Sequence, residues 1–468
     1  MGMALGRRRP KQASFWVEAS RLEVRGRHPF YQRLNEILDR IQFDSYVEQI
    51  CRKYYAEKMG RPSIAPGVYF RCFLVGYFEG IGSDRGIAYR VSDSLSLRQF
   101  LGLSWEEATP DHSTLSKTRR RLGLAVHGAV FRWVLKALAR EGLLEGKNLG
   151  VDATTLEANA AMRSIVRRDT GASYEEHVRE LMKNEEGEEP TAAERRRWDR
   201  RRKKRVSNRE WVNRHDEEAR IARMKDGRTR MAYKAEHAVD LKTGAVVAVT
   251  VERADRGDTE TMRATLGEAG LAVTELAGEK ARRGAAGPVK KVSETGVKRV
   301  VADKGYHSRE SLLALAEVGV KTVIAEPERG RQKWRGKQKA KAAVYGNRRR
   351  VRSRAGRALL ARRGELIERS FAHLYDRGGM RRLHLRGREN ILKRVLIHAA
   401  AFNLGLILRQ LVGAGTPRQA AELPSRVLAG LFGLFLRLTA SVEAVDKLVR
   451  PDDCCRVVRA RWRRHQGS

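Results

Sequence analysis

Three acidic residues carry the chemistry that this sequence suggests. RVVADKGYHS (residues 299–308) runs from an apolar stretch into Asp303, and NLGVDATTLEA brings Asp152 to the end of another short apolar run. Glu368 lies in GELIERSFAHLY, where Leu366, Phe371 and Leu374 have the spacing of a buried helical stripe and leave Glu368 on its edge. Two aspartates at strand ends and a glutamate on a later helix, 151 and 65 residues apart, suit phosphodiester cleavage. That reaction needs an activated oxygen nucleophile and a stabilised leaving oxygen, which two divalent ions roughly 3.5 to 4 Å apart supply together. Magnesium takes a few carboxylate oxygens and leaves room for phosphate and water. Each acid also has an ordinary use, as a turn cap for the aspartates or a surface ion pair to Arg363 or Arg369 for Glu368. Glu157, Asp240, Asp255, Asp258 and Glu365 compete for any acidic role, and spacing alone does not choose among them.

The rest of the chain is strongly basic. Its 468 residues hold 95 Lys+Arg against 56 Asp+Glu, a formal charge of +39. An excess that large repels itself unless a polyanion is the usual partner, and nucleic acid is the first candidate. Clustered carboxylates inside such a chain need a cation to neutralise them, while the surrounding Lys and Arg hold a DNA strand. Four cysteines without paired spacing support neither a disulfide framework nor a zinc site, which fits a reducing cytoplasm. The basic start MGMALGRRRPKQASF lacks the apolar core of a secretory signal. The apolar runs from Val395 and Val427 fall short of the roughly 20 residues of a spanning helix, and both read as buried core helices.

The elements that must position the acids follow from periodicity. Up to about residue 145 the pattern is helical: PFYQRLNEILDRIQF repeats apolar residues every three or four positions, and Pro66 opens another helix. In TPDHSTLSKTRRRLGL a capped start between Thr109 and Ser113 leads to Arg119, Arg120 and Arg121, either a recognition helix for DNA or the solvated basic face of a bundle. From residue 148 the period changes. MAYKAEHAVDLKTGAVVAVTVER alternates as two strands joined at Lys242-Thr243-Gly244, and VKRVVADKGY gives a further strand. A helix capped by Ser308, with Gly319 near its end, precedes the strand VKTVIAEP. This is a mixed sheet with helices packed on it. Residues 163–230 read as a charged helical insertion or a basic arm. Residues 329–363 carry 15 Lys/Arg and no Asp/Glu, a composition usual for a solvated tract, with Trp334 and Tyr345 available to stack on bases.

Four stretches together resemble the DDE transposases of bacterial insertion sequences, in the superfamily of insertion sequences 4 and 5 and nearest the 1182-like group. They are RPSIAPGVYFRCFLVGYFEGIGSDRGIAYRVSDSLSLRQFLGL with TPDHSTLSKTRRRL; VDATTLEANA; MAYKAEHAVDLKTGAVVAVTVERADRGDT with VVADKGYHS; and ERSFAHLYDRGGMRRLHLRGRENILKRVLIHAAAFNLG. The resemblance implies an α/β catalytic domain with an RNase H-like mixed sheet over about 146–410, interrupted by the basic insertions at 163–230 and 329–363. An all-α domain at 1–145 would precede it and bind terminal inverted repeats, and a helical basic tail at 411–468 would follow. It implies Asp152, Asp303 and Glu368 as catalytic metal ligands, two Mg²⁺ with Mn²⁺ as substitute, and a homo-oligomer that holds two DNA ends. It also implies a bacterial, cytoplasmic, nucleoid-associated protein with no membrane role.

Members of the insertion sequence 4 group often carry Lys seven positions after the third acid, where this chain has Tyr375. Arg369, Arg381 or Arg382 is then expected to make the phosphate contact of that Lys. With Arg119, Arg120, Arg121, Lys304 and Trp334 they complete the expected DNA-binding residues. The rival readings are an inactive or regulatory DNA-binding relative and an RNase H-like nuclease.

Overall fold

The computed structural model describes residues 28–56, 63–104, 107–186, 191–201, 206–282, 291–328, 330 and 332–422. The basic N-terminal stretch, the apolar run from Val427 and the basic tail lie outside the described residues.

Among the described residues, seven α-helices come first: α1 (Pro29–Arg40), α2 (Phe43–Cys51), α3 (Pro66–Phe78), α4 (Asp84–Asp93), α5 (Leu95–Phe100), α6 (His112–Arg121) and α7 (Leu124–Arg140). Their starts follow from local chemistry. Pro66 occupies the first turn of α3, Ser83 accepts from the Gly86 amide at 3.0 Å, and Asp111 accepts from the Thr114 amide at 2.8 Å.

Next come β1 (Asn148–Glu157), β2 (Ile165–Arg167), α8 (Tyr174–Glu186), α9 (Ala192–Arg201), β3 (Trp211–Asn213), β4 (Arg220–Arg223), β5 (Thr229–Asp240), β6 (Val246–Arg253) and α10 (Asp258–Arg282). The charged segment after β1 is thus an insertion of two helices beside a two-stranded β2-β3 sheet. The chain continues through β7 (Arg299–Ala302), α11 (Arg309–Glu317), β8 (Lys321–Ile324), α12 (Gln338–Arg352), α13 (Arg354–Phe371) and α14 (Arg388–Val412), with a π-helical turn, Ala372–Arg377, after α13. Ser308 caps α11 as its sequence predicts, and Gly319 follows it at φ +75°. The basic tract at 329–363, expected as a solvated run, is largely helical: α12 and the first half of α13 fill it.

The main sheet has the order β4-β5-β1-β7-β8, with β6 on β5 beyond β4. Pairing is antiparallel from β6 through β5 to β1 and parallel from β1 through β7 to β8. Helices cover its edges with the same device twice. Asn403 of α14 bonds both the amide and the carbonyl of Val246, at 3.0 and 2.9 Å. Asn347 of α12 does so for Ile324, at 2.9 and 2.8 Å. Each amide side chain satisfies an edge residue as a further strand would.

Helix α14 joins the two halves, packing on α7, α3 and β6. With its continuation to Glu422 it is long and apolar enough to cross a membrane by length and composition, more than the apolar run alone suggests, but 72% of that apolar window is buried in the fold. Its buried charges meet the opening helices: Arg394 reaches Asp84 (3.5 Å) and the Ile81 carbonyl (3.0 Å). The membrane-like composition therefore belongs to a core helix.

Several buried histidines share that core. His127 contacts the Tyr69 hydroxyl (3.0 Å) and the Gly123 carbonyl (3.0 Å), and burial lowers its pKa from 6.5 to about 4. Burial likewise brings His237 to about 3, and the half-buried His373 falls to about 4. Because the folded state binds these protons less readily, their neutral forms support the fold above pH 6.5, and that support is lost as pH falls from 6.5 toward 4. Each fully buried histidine then withdraws up to about 1.4 kcal/mol per pH unit. Thermal melts are expected to show Tm falling steeply below pH 6.5; a flat profile from 6.5 to 4 would contradict this.

Candidate active site

The register of the parallel strands brings the two aspartates together. Val151 pairs with Ala302 at the last paired position of β1 and β7, so Asp152 and Asp303 take the next place on neighbouring strands. Asp303 is still extended (φ −78°, ψ 173°). Strands lie about 4.8 Å apart, and side chains at matched positions share a face. Asp152 is not at a strand end, as its sequence suggested. β1 runs on to Glu157 because β5 keeps pairing with it after β7 has turned away.

The two carboxylates differ in surroundings. Asp303 is exposed and accepts from the Lys304 amide at 2.7 Å. The Asp152 side chain is 32% exposed, accepts from the Ala153 amide at 2.8 Å, and pairs with Arg363 of α13 at 2.8 Å. Burial raises the pKa of Asp152, Arg363 opposes that shift, and the charge of Asp303 adds to it. Arg363 thus neutralises only one of the two like charges, and the oxygen donors match what a hard divalent cation takes. Glu368 is exposed on α13, the helix that carries Arg363 onto Asp152. Among the described residues, no three His, Cys, Asp or Glu side chains are gathered closely enough to hold a metal ion. The structure thus joins Asp152 and Asp303 and leaves Glu368 apart on its helix.

The competing acids are occupied. Asp240 caps its turn through the Glu145, Gly146 and Lys242 amides and the Thr243 hydroxyl. Glu157 pairs with Arg230, Asp255 with Arg220 and Arg253, Asp258 with Lys234, and Glu365 with Arg369. By contrast, Asp303 and Glu368 have no ion pair among the described residues.

The expected DNA contacts divide. Arg119 is not on a DNA face: it is buried, donating to Asp84 at 2.7 Å, and its carbonyl accepts from Lys393. Arg120 and Lys304 are exposed. Arg121 stacks on Tyr55 and donates to Ser63 (3.2 Å). Trp334 is half-buried under Arg309, 4.9 Å from the ring centre, so its ring is already stacked. Arg369 pairs with Glu365, and Arg382 is exposed beside Glu157 (3.7 Å).

Arg381 is the candidate nearest the aspartates along β1. It donates to the Thr154 hydroxyl at 2.9 Å, on the same face as Asp152 two residues away, and pairs with Asp376 at 2.8 Å. Periodicity gave no sign of the Arg363–Asp152 pair, which spans 211 residues of chain.

Residues 20–121 match a family described as Transposase domain (DUF772), and residues 208–404 match one described as Transposase DDE domain. No curated protein matches the chain.

Proposed function

Because the chain belongs to a DDE transposase family, an enzyme class that cleaves and transfers DNA strands, we propose that it cuts at terminal inverted repeats and joins the freed ends to target DNA. The single observation that carries this reading is the register that sets Asp152 beside Asp303 at the edge of the parallel pairing. Transposases of this kind use divalent metal ions. We take the ion to be Mg²⁺, two per site with Mn²⁺ as substitute, held by Asp152 and Asp303 with Glu368 completing the set. Such ions activate an attacking oxygen and stabilise the leaving oxygen of a phosphodiester.

The chain's own residues orient the DNA. Arg381 holds a backbone phosphate beside Asp152, taking the place of the Lys that Tyr375 displaces, and Lys304, Arg120 and Arg382 add exposed positive charge. Water attacks first and leaves a 3′-hydroxyl, whose oxygen then attacks a phosphorus of the target strand and displaces that strand's own 3′-oxygen, so one P–O bond forms as one breaks; no protein–DNA bond forms. An RNase H-like sheet is supported by the positions of the acids: the first on the opening strand, the second after a central strand next to it, the third on a later helix. We assign the helices before residue 145 to binding of the inverted repeats, 146–410 to catalysis and 411–468 to a basic tail. The active species is a homo-oligomer of the insertion sequence 4 and 5 type, nearest the 1182-like group, acting on the nucleoid in the bacterial cytoplasm.

The test uses labelled duplex carrying the flanks of the chain's own gene, with Mg²⁺ or Mn²⁺. Cutting at the flank boundary with a 3′-hydroxyl product is expected. Binding without cutting under every metal condition would make the protein a regulatory or inactive relative, and cutting without site preference would make it a general nuclease. Arg381→Ala is expected to weaken DNA binding across all sequences and to lower the salt-dependence slope by about one. An unchanged slope would remove Arg381 from the phosphate contacts.

A further inference from the structure

Two consecutive residues of β5 take no part in the chemistry above, yet each reaches a segment that carries an acid. β5 pairs with β1 so that His237 lies opposite Asp152 and Glu236 opposite Ala153. Neighbouring residues of a strand point to opposite faces. Glu236 and His237 therefore leave one point beside the first acid in two directions.

On one face, Glu236 is 1% exposed and accepts from the Thr261 hydroxyl of α10 at 2.7 Å and from the Tyr306 hydroxyl at 2.9 Å. Tyr306 ends the tight turn Lys304–Tyr306 that begins at Asp303. The same turn rests on a second support from β5. Lys234 pairs with Asp258 at 2.5 Å, and Asp258 sits so close to Gly305 that a Cβ there would come within 2.3 Å of its carboxylate. On the other face, the His237 ring contacts the Ser370 hydroxyl at 3.0 Å and the Tyr375 hydroxyl at 2.6 Å. Ser370 lies two residues beyond Glu368, and Tyr375 lies in the π-helical turn that follows.

Energetics favour a positional reading over a stabilising one. A buried carboxylate and a buried imidazole are expensive to desolvate, and apolar side chains of similar volume at both places would serve the core as well or better. What polar groups add is direction, because a hydrogen bond fixes one rotamer of each partner.

We propose that Glu236 and His237 are positioning residues that set the spacing of the three acids, Glu236 through Tyr306 for Asp303 and His237 through Ser370 and Tyr375 for Glu368. This rests on the reading of Asp152, Asp303 and Glu368 as the metal-holding set. Residues that orient metal ligands from behind commonly change metal affinity about ten- to a hundredfold when altered.

The experiment measures binding of Mn²⁺ alone to the full chain by calorimetry, beside thermal melts. Tyr306→Phe and Tyr375→Phe each remove one hydroxyl and keep the ring. Both are expected to weaken Mn²⁺ binding by about ten- to a hundredfold while DNA binding without metal stays as in the wild type. Glu236→Gln keeps an acceptor oxygen for Tyr306 and is expected to retain Mn²⁺ affinity. Phe variants that bind Mn²⁺ like the wild type, whatever their Tm, would overturn the inference and leave the two residues as core polar groups. Wild-type protein that binds no Mn²⁺, or that binds it equally well as Asp303→Ala, would overturn the underlying reading and this inference with it.

Discussion

Asp303→Ala is expected to abolish strand cleavage, by at least about a thousandfold, while DNA affinity stays at or above the wild-type value. The side chain is exposed, has no ion pair among the described residues, and makes one hydrogen bond, to the Lys304 amide. Its loss as a cap costs about 1 kcal/mol at most. The turn itself remains tied from behind through Tyr306 and Glu236. Removing an exposed negative charge from a chain of +39 does not weaken binding to a polyanion. Gel shifts and cleavage assays on one preparation check this, and parallel loss of binding and cutting would assign Asp303 a structural role. Asp152→Ala is a less clean test, because it strands Arg363, whose side chain is 12% exposed.

The largest expected effect on stability comes from Asp84→Ala. The Asp84 carboxylate sits between Arg119 (2.7 Å) and Arg394 (3.5 Å), whose side chains are 7% and 2% exposed. Burial already lowers the pKa of Arg394 from 12.5 to about 10. Removing the shared acid leaves two guanidinium groups in the core without their counter-charge, a defect of about 3 to 5 kcal/mol for a broken buried pair. It strikes where α4 and α6 meet α14, so the opening helices and the sheet are expected to loosen together. Denaturant melts should show a large fall in midpoint, whereas Asp84→Asn, which keeps an acceptor oxygen, should recover part of it. A change below about 1 kcal/mol, the size of a surface pair, would show that the cluster is solvated in solution.

Much of this architecture was legible in the chain. The hairpin at Lys242-Thr243-Gly244, the strand ending at Asp303, the Ser308 cap and the buried run from Val395 all follow from period and turn chemistry. α10 escaped notice, and with it the meaning of β5. In MAYKAEHAVD the alternation marks a strand without showing what covers each face, and α10 covers the face of Lys234 and Glu236 and buries both. Arg119 misled for the converse reason: a run of three arginines gives no sign of which one turns inward to Asp84. Asp152 looked like a strand end because the apolar residues stop there, whereas pairing with β5 carries the strand on. The pairs that shape the site, Arg363 with Asp152 and Tyr306 with Glu236, join residues 211 and 70 positions apart, and local pattern carries no record of such contacts.

Anomalous diffraction from crystals soaked in Mn²⁺ would show whether Asp152 and Asp303 hold a metal ion between them. A manganese peak at the carboxylates of Asp152 and Asp303, absent in Asp303→Ala crystals, is expected. Ordered side chains at both aspartates with no manganese between them, in crystals that bind the ion elsewhere, would contradict it.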